Sequence, residues 1–279
     1  MHLKEKVKDS VTYILQHLDS EAKIAIVLGS GLGGFAETLA HPFFIHSADI
    51  PHYPGSTVLG HKGRWAIGDI DGTHLICIQG RVHFYEGYPL SQVTYYVHLL
   101  AALGVQYLII TTACGGLNPE FSAGDLMLIT DQINFTFTNP LIGHPENILG
   151  RRFPDMVGAY DQNLIATAEQ VGIESGFPFR KGVFCWVSGP NYETAAEVNA
   201  LRKLGGDAVS MSTGPEVIVA RQRHLKVLGV SLITNLSTGL SPGTLTHADV
   251  TETATQATEK FTLLLTETIK KIGLCNRTK

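Results

Sequence analysis

The chain has 279 residues, 44% of them hydrophobic and 16% charged, a balance that can bury one large core and fits a single α/β domain over residues 1–279 better than two small ones. Its formal net charge of −4 supplies no general basic field, and apart from the Arg151-Arg152 pair the cations are scattered, which argues against nucleic acid and for a small substrate. The opening stretch MHLKEKVKDS lacks the apolar core of a signal peptide, and no apolar run approaches a membrane span. Cys77, Cys114, Cys185 and Cys275 lie far apart, without C-x-x-C pairs or zinc-like histidine spacing. A cytoplasmic protein with reduced cysteines, no metal and no membrane partner is therefore expected.

In chain order, the short Ile- and Val-rich runs predict strands at 23–28, 65–70 and 74–79, a helix at 91–103, and strands at 107–112 and 125–129. A helix at 162–171, a strand at 182–187, helices at 194–204 and 214–223, a strand at 226–234 and a long last helix from about 247 to 272 follow. Strands buried on both faces with helices outside give an α/β fold. Asp71-Gly72 between two strand-like runs reads as a hairpin turn, so the central sheet is mixed rather than purely parallel. Residues 135–153, with Pro140, Gly143, Pro145 and Gly150, form a long irregular segment of the kind found at functional sites or interfaces.

Two motifs invite readings that the surrounding residues refuse. Gly29-Ser30-Gly31-Leu32-Gly33-Gly34 has the G-x-G-x-x-G spacing of a dinucleotide site, with Asp49 about twenty residues on. Only FAETLAHP separates Gly34 from the next apolar run, too short for a crossover helix with its loops, which needs roughly ten to twelve residues. NAD is therefore not expected, and a glycine-rich loop facing an anion is the better reading. Gly239-Leu240-Ser241-Pro242-Gly243 matches the G-x-S-x-G of serine hydrolases, but Pro242 has no N–H for an oxyanion hole, and Asn235 to Thr238 separate the motif from its strand.

Seven landmarks stand in order along the chain: GSGLG at Gly29 to Gly33, GHKG at Gly60 to Gly63, QGRVHFYEGY at Gln79 to Tyr88, TTACGGLNP at Thr111 to Pro119, GPNYET at Gly189 to Thr194, MSTGPE at Met211 to Glu216 and SLITNLS at Ser231 to Ser237. Together they resemble the trimeric purine nucleoside phosphorylase family, 6-oxopurine type, which also contains methylthioadenosine phosphorylases and xanthosine-active members. The resemblance implies a nucleoside phosphorylase fold, a mixed central β-sheet flanked by helices. It further implies a pentosyltransferase of purine salvage, a homotrimer with active sites near subunit boundaries, and inorganic phosphate as co-substrate with no cofactor.

Read as chemistry, Ser30, His61, Arg81, His83 and Ser212 suit an oxyanion, the Arg81 fork above all. His83, two residues beyond Arg81, shares its face in an extended chain. The resemblance places the Ala113 backbone N–H against the same phosphate. Tyr192 and Glu193 offer an aromatic face beside a carboxylate, and Asn235 an amide that donates and accepts. The resemblance assigns Glu193 to the N1–H of a 6-oxopurine, Asn235 to O6 and N7, Tyr85 and Met211 to the ribose, and His247 to its 5′-hydroxyl. The resemblance implies an aromatic residue from the neighbouring subunit where Leu149 stands, and alanine where Cys114 stands.

No side chain resembles an activated nucleophile, and no carboxylate pair is spaced for glycoside hydrolysis, so phosphate itself is expected to attack, with His83, Glu193 and Asn235 as the catalytic side chains. Inosine or guanosine is the expected nucleoside, and a xanthosine-preferring enzyme is the alternative. Asn235 argues against methylthioadenosine, since those members usually carry aspartate there. The intact Arg81, His83, Glu193 and Asn235 set argues against a non-catalytic nucleoside binder.

Overall fold

All five residues of β1 (Ile24–Leu28) are buried, so the strand requires neighbours at both edges and cover on both faces. In the computed structural model, which describes residues 1–58, 61–143, 149–240 and 247–277 (the side chains of 247–251 and 275–277 aside), β4 (Thr73–Gln79) and β5 (Tyr107–Gly116) flank it in parallel. β3 (Arg64–Ile70) runs antiparallel to β4 across Asp71 and Gly72, whose φ values of 50° and 70° are the left-handed pair that a two-residue hairpin needs. β2 (Ala40–His46) completes this end as the edge strand.

Beyond β5 the sheet closes on itself. β5 runs parallel to β9 (Lys226–Leu236), and β9 runs antiparallel to β6 (Leu126–Asn134). β6 is parallel to β7 (Arg180–Trp186), which is parallel to the three-residue β8 (Ala208–Ser210). β8 returns antiparallel to β5 at Gly115 and Gly116, so five strands form a ring whose β5 also belongs to the open half. The fold is thus α/β, with a mixed sheet of nine strands among the described residues.

Helices cover the sheet: α1 (Leu3–Leu15), the short α2 (Leu90–Val93), α3 (Tyr95–Ala102), α4 (Gln162–Glu174), α5 (Ala195–Lys203), α6 (Gly214–Gln222), α7 (His247–Gln256) and α8 (Thr258–Arg277). Asp161 caps α4 by accepting from the Asn163 and Leu164 amides at 3.0 and 3.1 Å, a contact worth about 1 kcal/mol. The large side chains Trp65, Trp186, Tyr160, Phe35, Phe184 and Phe261 are fully buried, each contributing roughly 1.5–3 kcal/mol. A smaller apolar cluster of Leu117, Cys185, Val198, Leu201 and Val209 seats α5 against the ring.

The expected hairpin and mixed sheet are present, and the elements differ from expectation in five places. The helix expected at 91–103 is two helices broken at Thr94, whose hydroxyl donates to the Leu90 carbonyl at 2.8 Å. The long last helix is likewise two, α7 and α8, separated at Ala257. α1, β2 and β8 match no element expected from the sequence pattern. Pro42 obscures β2 and is tolerated there because the strand lies at the sheet edge. After the glycine loop comes only a short 3₁₀ turn, Gly33–Thr38, and then β2, so no crossover helix of a dinucleotide fold is present.

Candidate active site

The closing of the ring brings together the ends of β5, β8 and β9, and a cleft of about 590 Å³ opens there. Its wall includes Ser30, Arg81, His83, Tyr85, Ala113, Tyr192, Glu193, Met211, Ser212 and Asn235. Residues from six separate sequence motifs thus face one space. Of the candidate phosphate ligands singled out in the sequence, His61 does not line it. His61 sits behind the wall, its ring 5.6 Å from that of His83, and the His247 side chain lies outside the described side chains. Leu149 packs half-buried against the main core rather than on this cleft.

One end of the cleft is cationic. Gly29 packs so tightly on β5 that a Cβ would lie 2.8 Å from the Thr111 carbonyl oxygen, which sets Ser30 at the cleft wall. Arg81 leaves β4 through Gly80 at φ 103° and is almost wholly buried. Its Nη2 donates to the Ser212 hydroxyl at 2.6 Å, whereas its Nε and Nη1 have no hydrogen-bond partner among the described residues. A buried guanidinium with unspent N–H groups is a strong attractor of an anion. Ser212 is presented by Thr213, a β-branched residue at φ 71°, a conformation costing about 1–3 kcal/mol.

His83 is oriented by Glu86, three residues further along the same motif. Glu86 Oε1 accepts from the His83 amide at 2.6 Å and lies 3.1 Å from His83 Nδ1, while Oε2 accepts from both the amide and the hydroxyl of Thr57 at 2.6 Å. Burial alone would raise the Glu86 pKa, but these hydrogen bonds outweigh it and hold it near 2. Burial lowers the His83 pKa, against the hydrogen bond to Glu86. His61 is held down to about 4, first by burial and then by the neighbouring His83 and Arg81 charges. The signal that could have revealed Glu86 is its i+3 spacing from His83 within QGRVHFYEGY. Tyr85 stacks on His83 with ring centroids 4.8 Å apart.

The other end carries the amide and carboxylate. The hydroxyl of Thr234 donates to Asn235 Oδ1 at 2.8 Å, and Asn235 Nδ2 donates to the Leu236 carbonyl at 3.1 Å. A carbonyl only accepts, so the atom beside Leu236 must be the nitrogen, and its second N–H is left for the cleft. Glu193 precedes α5, which begins with a reciprocal cap: the Thr194 hydroxyl accepts from the Glu197 amide while Glu197 accepts from the Thr194 amide. Burial raises the Glu193 pKa. Cys114 also faces the cleft, and burial pushes its thiol up to about 12, so it stays protonated and is no nucleophile. Among the described residues, no group of three or more His, Cys, Asp or Glu is placed to hold a metal ion, and no helix is long and apolar enough to cross a membrane.

Residues 23–270 match the phosphorylase superfamily. The chain is 47% identical to purine nucleoside phosphorylase 1 of Bacillus subtilis (strain 168), covering 94% of this chain and 97% of that protein. It is 43% identical to the purine nucleoside phosphorylase of Bos taurus, covering 92% and 91%. A purine nucleoside phosphorylase of Schistosoma mansoni, solved in complex with inosine, superposes with a TM-score of 0.91 at 34% identity over 96% of both chains. Isoform 2 of that organism, solved with cytosine and ribose-1-phosphate, gives 0.89 at 36% identity over 95% of both chains. The match over most of the length, on a fold whose cleft gathers the conjunction of motifs described above, means that the chain belongs to the phosphorylase superfamily and, within it, to the purine nucleoside phosphorylases.

Proposed function

We propose that the cleft carries out reversible phosphorolysis of 6-oxopurine ribo- and deoxyribonucleosides, inosine and guanosine, to the free base and (deoxy)ribose 1-phosphate. Purine nucleoside phosphorolysis, a pentosyl transfer, is the activity of the family; the choice of base and the residue roles are our reading. The observation that carries it is the polarity of this cleft, with the buried Arg81 and Ser212 at one end and the Asn235 amide and Glu193 carboxyl at the other.

In this reading phosphate binds to Arg81, Ser30, His83, Ser212 and the Ala113 amide, with His61 supporting from behind. The C1′–N9 bond breaks with its electron pair leaving on the purine, and a phosphate oxygen forms the new bond to C1′. Charge arriving on the base is received at N7 and O6 by the free Asn235 N–H, and Glu193 accepts from N1–H on the opposite edge. Tyr192 covers the base, while Tyr85, Met211 and His247 contact the ribose. Positioning and electrostatic stabilisation do the catalysis, so neither metal nor organic cofactor is required.

We further read the whole chain as one such domain acting in the cytoplasm as a homotrimer. A contact between subunits is supported by the exposed Phe137, Ile142, Phe153 and Val157, which lie in sequence on either side of Leu149. The decisive measurement of the chemistry is release of hypoxanthine from inosine with and without phosphate. Release that requires phosphate and yields ribose 1-phosphate is expected; equal release in phosphate-free buffer would refute the mechanism.

A further inference from the structure

Behind the cationic end of the cleft lies a charge that does not touch the cleft. Glu216 is wholly buried, and its Oε1 stands 3.4 Å from Arg81 Nε, an ion pair longer than a good hydrogen bond. The Tyr96 hydroxyl reaches the same oxygen at 3.4 Å, and Oε2 has no hydrogen-bond partner among the described residues. Glu216 stands in the first turn of α6, where the helix dipole favours a carboxylate. Arg81 is therefore held from two sides by neighbouring residues of one segment, Ser212 on Nη2 and Glu216 near Nε.

This arrangement has an electrostatic consequence. The buried guanidinium already has a counter-charge before any oxyanion arrives. Phosphate brings a further negative charge beside the buried Arg81 and Ser212, where the buried Glu216 opposes it, and among buried groups charges a few ångström apart interact much more strongly than in water. Resting on the reading of Arg81 as a phosphate ligand, we propose that Glu216 is a positioning residue that moderates the phosphate site. It neutralises Arg81 when the site is empty and weakens its hold on the oxyanion when the site is filled, so that phosphate and the sugar phosphate product can leave.

The test is Glu216→Gln, which keeps the shape and an acceptor oxygen but removes the charge. Its phosphate KM is expected to fall about tenfold, the equivalent of about 1.4 kcal/mol, with the inosine KM unchanged within about twofold. kcat for nucleoside breakdown is expected to fall as ribose 1-phosphate becomes a tighter product inhibitor. A purely structural strut predicts something else: a lower Tm, with phosphate KM unchanged or raised, and that result overturns the proposal. If the variant folds only in phosphate buffer, the anion is replacing the lost counter-charge and the proposal stands; failure to fold even in saturating phosphate overturns it. Arg81→Ala separates the two levels of the reading. If it leaves phosphate KM unchanged, the phosphate site itself is misassigned; if it raises phosphate KM while Glu216→Gln does not lower it, only the role of Glu216 fails.

Discussion

Replacing Asn235 by aspartate exchanges the one amide N–H left for the cleft for an acceptor, and everything else about the side chain is nearly conserved. The Thr234 hydroxyl would still donate to one oxygen, but the other would face both the Leu236 carbonyl and the base. A 6-oxopurine presents an acceptor at O6 and would meet an acceptor; adenine presents an amino donor there and would be satisfied. Each unsatisfied buried group costs about 1–3 kcal/mol, so kcat/KM for inosine is expected to fall about tenfold or more in Asn235→Asp and the adenosine-to-inosine ratio to rise correspondingly. The switch stays incomplete because Glu193 suits N1–H and opposes the N1 lone pair of adenine. Steady-state kinetics on both nucleosides measure this, and an unchanged ratio would remove Asn235 from base reading.

At the scale of elements, the glycine loop is set by how closely it lies on β5. In Gly29→Ala the new Cβ would stand 2.8 Å from the Thr111 carbonyl oxygen and 2.9 Å from the Thr112 Cα, backbone atoms of a central strand that cannot move aside cheaply. The variant is expected to lose about 1–3 kcal/mol of stability and, because Ser30 shifts with the loop, to raise phosphate KM while leaving inosine KM nearly unchanged. Denaturant unfolding together with the two KM values checks both halves; a stable variant with wild-type phosphate KM would dissociate the loop from the anion site. The same loop shows what could be read in advance. Its glycines and the seven motifs were legible because backbone turns and hydrogen-bonding side chains leave local marks, and so did Asp71-Gly72, where only a left-handed pair closes the hairpin. β8 left none: three residues carry no periodicity, yet their pairing with β5 and β7 closes the ring and delivers Met211 and Ser212 to the cleft. Glu86 and Glu216 were equally silent as functional groups, since a carboxylate reveals its role only through the His83 or Arg81 that the fold sets beside it.

Across the whole molecule, burial of neutral histidines couples stability to pH in one direction. Burial depresses His61 to about 4 and His98 to about 3, from an ordinary 6.5, and lowers His83 as well. Below pH 6.5 the unfolded chain takes up protons at these rings that the folded chain refuses, so stability falls as pH drops from 6.5 toward 3–4 and then levels for these groups. Glu86 acts in the same sense lower down: its contribution is complete above the ordinary 4.5 and is lost as pH falls toward about 2. Glu193, whose pKa burial raises, works the other way, favouring the fold at low pH. With three rings against one carboxyl, Tm is expected to decline steadily from pH 7 to pH 4, each unit of histidine depression corresponding to about 1.4 kcal/mol. His98 separates this effect from catalysis, because it is buried in α3 and is not part of the cleft wall. His98→Gln removes one titrating ring, so its Tm should decline less steeply between pH 6.5 and pH 4 than that of the wild type, while the inosine and phosphate KM values at neutral pH stay unchanged. Parallel Tm profiles for the two proteins would mean that His98 is not the source of the acid sensitivity.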